Sequence, residues 1–137
     1  MLDQARCFGG TDYGLHYESA TYQLRYAETL INLARHAPDR VPLLRQATAM
    51  LDTIDGPLPK RRLLGVRTAQ AQAAVGLGAY ERAAVYANEA VSVGNDMATT
   101  THLPAMTGVY HTLRQTRYAN EPLTTKVGLT LWRFHQS

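Results

Sequence analysis

Five histidines, a single cysteine and one basic triplet are the side chains from which chemistry could start in this sequence. His16, His36, His102, His111 and His135 are scattered. No two stand four residues apart and none belongs to a His-Glu-x-x-His segment, so a zinc site has no support. His16 and Glu18 are neighbours two positions apart, a spacing that puts them on different faces of a helix. Cys7 stands beside Arg6, whose charge favours a thiolate, yet no histidine base is near it in sequence. No Gly-x-Ser-x-Gly elbow occurs, and Gly76-Leu77-Gly78 lacks the third glycine and the preceding strand of a phosphate loop. The expectation is a chain without catalysis, metal or cofactor.

Lys60-Arg61-Arg62 could meet phosphate or an acidic partner. It opens a helix, where the dipole disfavours cations, and no aromatic residue interleaves with it as single-strand binding requires. A solvated helix start is the plainer reading. The excess of 14 Lys+Arg over 11 Asp+Glu leaves a charge of only +3, short of the clustered excess of a dedicated nucleic-acid domain. Direct nucleic-acid binding through a basic face is therefore the alternative reading, one that steep salt dependence would reveal.

What must position any site is a helical frame. At 137 residues, with 45% apolar and 18% charged residues, the chain suits one domain with a real core. A lone cysteine excludes an internal disulfide. No apolar run approaches the roughly 18–20 residues that cross a bilayer, and the start lacks the order of a secretion signal. These features give the expectation of a soluble, cytoplasmic chain with no membrane partner.

Apolar positions at three- and four-residue steps predict six helices and no strand. Met1 to Phe8 reads as the tail of a helix closed by Gly9-Gly10, and Thr11 to Leu15 as a turn. The first full helix runs from about His16 to Arg35 on Ala20, Leu24, Ala27, Ile31 and Ala34. The second starts near Asp39 or Arg40, with Pro42 in its first turn, and carries Val41, Leu44, Ala47 and Leu51. Asp55-Gly56-Pro57-Leu58-Pro59 is a connector. A third helix follows from Lys60 to about Val75, a turn at Gly76-Leu77-Gly78, and a fourth helix from Tyr80 to Val93 ended by Gly94-Asn95-Asp96. Thr99-Thr100-Thr101 offers cap oxygens to a fifth helix bearing Leu103, Met106, Val109 or Tyr110, and Leu113. Tyr118 to Pro122 is a turn with Asn120 as the cap of a sixth, which holds Leu123, Val127, Leu131 and Phe134. Its run Thr124-Thr125-Lys126-Val127 is the poorest helix former.

A repeat underlies these helices. Ala5, Ala47, Ala90 and Gly128 recur at separations of 42, 43 and 38 residues, and Tyr80 lines up with Tyr118. In Leu77-Gly78-Ala79-Tyr80-Glu81-Arg82-Ala83, followed by Ala87 and Ala90, the small residues share one stripe of a helix and allow another to approach closely. That segment, with Ala71 and Ala74 before it, resembles a tetratricopeptide repeat. The proline that follows the second helix in that family is missing, and the spacing exceeds the family's period of about 34. Such long-period repeats are similar to those in the C-terminal halves of bacterial helix-turn-helix transcription regulators.

The resemblance implies an all-α, right-handed α-solenoid of about three antiparallel helix pairs, at about 16–54, 60–94 and 100–135, preceded by a helical fragment at 1–9. The array would then continue upstream. It also implies a module that binds a protein or peptide, the regulatory part of a transcription regulator, reaching DNA only through a segment not present here. A homodimer could cover the apolar ends of such an array. First helices face the inner surface in this family. On that basis Tyr22, Arg25, Tyr26, Thr29 and Asn32 are partner contacts in the first pair, Thr68 and Gln72 in the second, and Met106, Tyr110 and Arg114 in the third. Tyr and Arg also anchor interfaces most often. The plainer reading has Tyr22 and Tyr26 capping the edge of the core.

Overall fold

The computed structural model describes residues 11–54 and 56–136, with side chains from Ser19 to Phe134. Among these residues there are six helices and no strand. They are α1 (Thr11–Ala34), α2 (Val41–Asp52), α3 (Lys60–Gly76), α4 (Tyr80–Asp96), α5 (Leu103–Arg114) and α6 (Pro122–Gln136). The expected helix fragment at Met1 to Phe8 and the Gly9-Gly10 break lie outside the described residues.

Each helix packs on the next in sequence, and α1 also meets α3, α3 meets α5, and α4 meets α6. α3 is the centre of this arrangement, and its alanines explain how. Val66, Ala69 and Ala73 join Leu24, Ile31 and Leu51 in one core cluster with α1 and α2. Leu64, Ala71 and Ala74 join Val91, Met106, Leu113 and Val127 in a second, shared with α4, α5 and α6. A helix buried on two sides needs small side chains on both, because neighbours must approach its axis closely from each. The stripe Ala83, Ala87 and Ala90 on α4 is likewise fully buried. Ala47, the equivalent position on α2, is buried too.

Polar groups tie the same helices together. Arg67 on α3 donates to the side-chain carbonyl of Gln70 at 2.8 Å and pairs with Glu89 on α4. Gln70, itself buried, donates to the carboxylate of Asp52 at the end of α2 at 3.4 Å. Three helices thus share one chain of hydrogen bonds.

The ends of the elements differ from the sequence-based expectations in four places. Thr11 to Leu15, expected as a turn, is the first part of α1, since one Gly14 in a helix costs only about 1 kcal/mol against alanine. Gly94-Asn95-Asp96 does not end α4, which runs on through all three residues. The threonines 99–101 do not cap α5: its cap position is His102, with no side-chain cap bond, and the Thr99 hydroxyl accepts instead from the Thr101 amide at 3.4 Å. α6 starts at Pro122, and the Thr125 amide bonds the Glu121 carbonyl, so Glu121 rather than Asn120 holds the cap position. Pro42 and Pro104 both lie in first turns, where the missing amide hydrogen is harmless.

Two turns share one hydrogen-bond pattern. After α3 the Gly78 amide bonds the Val75 carbonyl at 3.2 Å and the Ala79 amide bonds Ala74 at 2.9 Å. After α4 the Ala98 amide bonds Asn95 and the Thr99 amide bonds Gly94, each at 3.1 Å. This pairing requires a left-handed residue just past the helix end. Gly78 supplies it at φ +78°, whereas Ala98 is forced to φ +53°.

Candidate functional site

The helices α1, α3 and α5 enclose two depressions that meet at Gln72. One, of about 580 Å³, lies over the first half of α3, where Arg61, Thr68 and Gln72 are joined by Glu28 from α1 and by Thr99, Thr101 and His102 from the approach to α5. The other, of about 260 Å³, lies over the end of α3, between Ile31, Ala34 and Arg35 at the end of α1 and Gly108, Val109 and Thr112 on α5. The first mixes polar and apolar side chains, and the second is mostly apolar.

Local sequence explains both. Gly65 on α3 leaves room for Leu24 of α1, whose Cδ2 would stand 3.0 Å from a Cβ there. Gly76 does the same for Leu44 of α2, which would come within 2.6 Å. Seating α1 and α2 close to α3 draws Glu28 and Arg35 to the rim. Burial pushes the Glu28 carboxyl above its ordinary value, and the positive charges of Arg25 and Arg62 oppose that shift.

His102 is held from the other side. It is 3% exposed, its ring meets Phe134 edge-on at 5.9 Å, and it leaves no room for a Cβ at Gly94, which would collide with the ring at Cε1 and Nε2. Neither ring nitrogen has a hydrogen-bond partner, and burial lowers its pKa below the ordinary 6.5. The Thr68 hydroxyl is likewise buried without a partner. The larger depression offers an amide, hydroxyls, a carboxyl and a guanidinium, the donors and acceptors that an extended backbone can use. Among the described residues no group of three or more His, Cys, Asp or Glu side chains could hold a metal ion.

The ten residues singled out from the sequence fall in separate places. Thr68 and Gln72 line the larger depression, and Gln72 lines both. Tyr22, Arg25, Tyr26, Thr29 and Asn32 are exposed on α1 and line neither; the Tyr22 and Tyr26 rings lie 6.4 Å apart, with Tyr22 69% exposed. The Thr29 hydroxyl donates to the Arg25 carbonyl at 2.9 Å, within its own helix. Met106 is 0% exposed and has no surface to offer a partner, so its expected contact role gives way to a core role. Tyr110 and Arg114 border a third depression, between α5 and α6, with the guanidinium 5.8 Å from the ring centre. Tyr110 packs over Gly128, where a Cβ would stand 2.5 Å from the phenol oxygen.

Glu28, Arg35 and Gly108 were not anticipated, while Arg61 and His102 were weighed in the sequence only as a contact to phosphate or an acidic partner and as a zinc ligand, and set aside. Glu28 and Arg35 carry one usable signal: they stand seven residues apart and so share a face of α1.

No protein-family model, curated protein or solved structure matches the chain. Function therefore rests on the geometry and on the repeat. No helix of the described residues is long and apolar enough to cross a membrane.

Proposed function

We propose that the chain is a helical-repeat interaction module that holds an extended peptide or protein segment along its α1, α3 and α5 side. The scaffold would be a right-handed solenoid of three antiparallel helix pairs of the tetratricopeptide type. The observation that carries the reading is the meeting of two depressions at Gln72, which gives one recess along α1, α3 and α5, with Arg40 and Leu44 from the start of α2 at one end. Lower-numbered residues of α1, α3 and the approach to α5 line one part, and higher-numbered residues of the three helices line the other. That is the order expected if the helices run side by side in one direction.

Three further features support the repeat. The main helix contacts among the described residues join neighbours and next neighbours, as stacked pairs require. Tyr80 and Tyr118, equivalent by the repeat, bring their rings within 6.1 Å. The small residues of the repeat, Ala47, Ala71 and Ala90, are buried at helix contacts. The role in a bacterial transcription regulator follows from resemblance alone, with DNA contacted by a segment outside these residues. A homodimer would be built on Leu129 and Trp132 of α6, which are 55% and 59% exposed.

The test is a peptide selected from a random display library against the folded chain. Thr68→Arg and Gln72→Arg are each expected to weaken its binding at least tenfold with melting temperature unchanged, and Trp132→Ser to leave it intact. Binding lost only in Trp132→Ser would move the site to α6.

A further inference from the structure

The smaller depression has a chemistry of its own. Its wall is mostly apolar, built by Ile31, Ala34, Leu44, Val75 and Val109 with Gln72 and Thr112 beside them, and two arginines, Arg35 and Arg40, stand at its rim. Among the described residues neither guanidinium is in an ion pair. The nearest carboxylate in sequence, Asp39, is engaged by the Val41 amide at 3.2 Å. Arg40 is also the residue at the start of α2, where the helix dipole makes a cation unfavourable, and no acidic residue stands in that first turn. Helix stability therefore does not account for it.

The decisive residue is Gly108. It lies inside α5 and borders the cavity, and a Cβ built there would meet nothing within 4 Å. Glycine is the poorest helix former after proline, and its use is to keep space beside the backbone. Gly76, on the opposite wall, has a packing reason, since Leu44 fills the space its side chain would take. Gly108 has none within the protein. An apolar cavity of about 260 Å³ thus stays open beside two positive charges.

We infer that this cavity binds a small apolar carboxylic acid. Its hydrocarbon part lies against Val75, Val109 and the bare backbone of Gly108, and its carboxylate meets Arg35 and Arg40. A planar guanidinium donates to a carboxylate through two parallel bonds, and an apolar wall with few placed polar groups is the usual design of a small-ligand site. The cavity is the smaller half of the recess, so peptide and acid would compete for it, but the inference does not require that a peptide binds.

Titration of the isotope-labelled chain with hexanoate, 4-methylpentanoate or phenylacetate, followed by amide chemical shifts, tests it. The expected result is saturable movement of Ala34, Gly76, Ala105 and Gly108 for at least one of these acids. Hexanamide should bind at least tenfold more weakly, as should hexanoate to the Arg35→Gln, Arg40→Gln double variant. Gly108→Leu should abolish binding while the spectrum stays folded, and Gly108→Ala should weaken it while melting no lower. The inference is overturned if no acid gives saturable shifts at millimolar concentration, if acid and amide bind alike, or if binding survives Gly108→Leu. It is also overturned if a peptide with a free C-terminal leucine binds there and no free acid does. Peptide binding that moves Thr68 and Thr101 but ignores Gly108→Leu would leave the peptide reading standing and this one refuted.

Discussion

The turns that follow α3 and α4 close with the same pair of hydrogen bonds, yet they are filled in different ways. The first gives its left-handed position to Gly78. The second gives that position to Ala98, while its glycine, Gly94, stands four residues earlier against the His102 ring. The difference is where chemistry enters. The α3–α4 turn lends Leu77 and Ala79 to the two cores, whereas the segment after α4 supplies Met97, Thr99, Thr101 and His102 to the larger depression. A residue held left-handed without being glycine stores strain, and such strain tends to gather near sites that bind. One turn was built for the fold, the other for the recess.

The largest expected effect falls on Gly94. Alanine inside a helix ordinarily stabilises by about 1 kcal/mol over glycine. Here the added Cβ would collide with a buried ring, so Gly94→Ala should destabilise by about 2–3 kcal/mol, in the range of overpacked cores. Denaturant unfolding measures it. An unchanged midpoint would mean that the ring has somewhere to go and that Gly94 is incidental.

Swapping the two turn residues sharpens the comparison further. Gly78→Ala should cost about 1–2 kcal/mol, the penalty of a left-handed alanine. Ala98→Gly should do the reverse and stabilise by up to about 1 kcal/mol, reduced by glycine's extra freedom in the unfolded chain. Opposite signs in thermal melts would establish that the two turns have one geometry. Two losses would refute it.

A smaller, pH-dependent effect belongs to His102. Burial lowers its pKa, so the folded chain favours the neutral ring. Stability from this group is complete above the ordinary value of 6.5 and is lost as pH falls toward the lower folded value. The wild-type stability curve should therefore drop below pH 6.5 relative to that of His102→Leu, by at most about 1.4 kcal/mol per pH unit. Parallel curves for the two proteins would show that the ring is reached by solvent.

Much of the helical frame was legible in the residues themselves. Alanines at 83, 87 and 90 announce a close helix contact because small volume is a property of sequence, and all three are buried. Pro42 sits in a first turn for reasons of local geometry, as its place in the sequence requires. What could not be read is what depends on a distant neighbour. Gly94 looks like a helix stop until His102 is placed beside it. Met106 stands on the apolar stripe of α5, and only the placement of α6 decides between core and partner contact, since Val127 and Leu131 lie in its cluster.

The candidate site was half legible for the same reason. Thr68 and Gln72 lie on the central helix, whose neighbours on both sides fix which face is left. Tyr22 and Tyr26 lie on α1, which packs on α2 and α3, and they point away from both clusters. Periodicity gives the apolar stripe of an outer helix but not which flank borders a recess, so Glu28 and Arg35 are less conspicuous in the sequence than the tyrosines beside them.

One measurement bears most directly on the role of the recess: amide chemical-shift mapping of the chain with a display-selected peptide. The expected result is that the largest shifts fall on Glu28 of α1, Thr68 and Gln72 of α3, and Thr101 on the approach to α5. Shifts confined to Glu81 and Val85 on α4, or to Leu129 and Trp132 on α6, would contradict it.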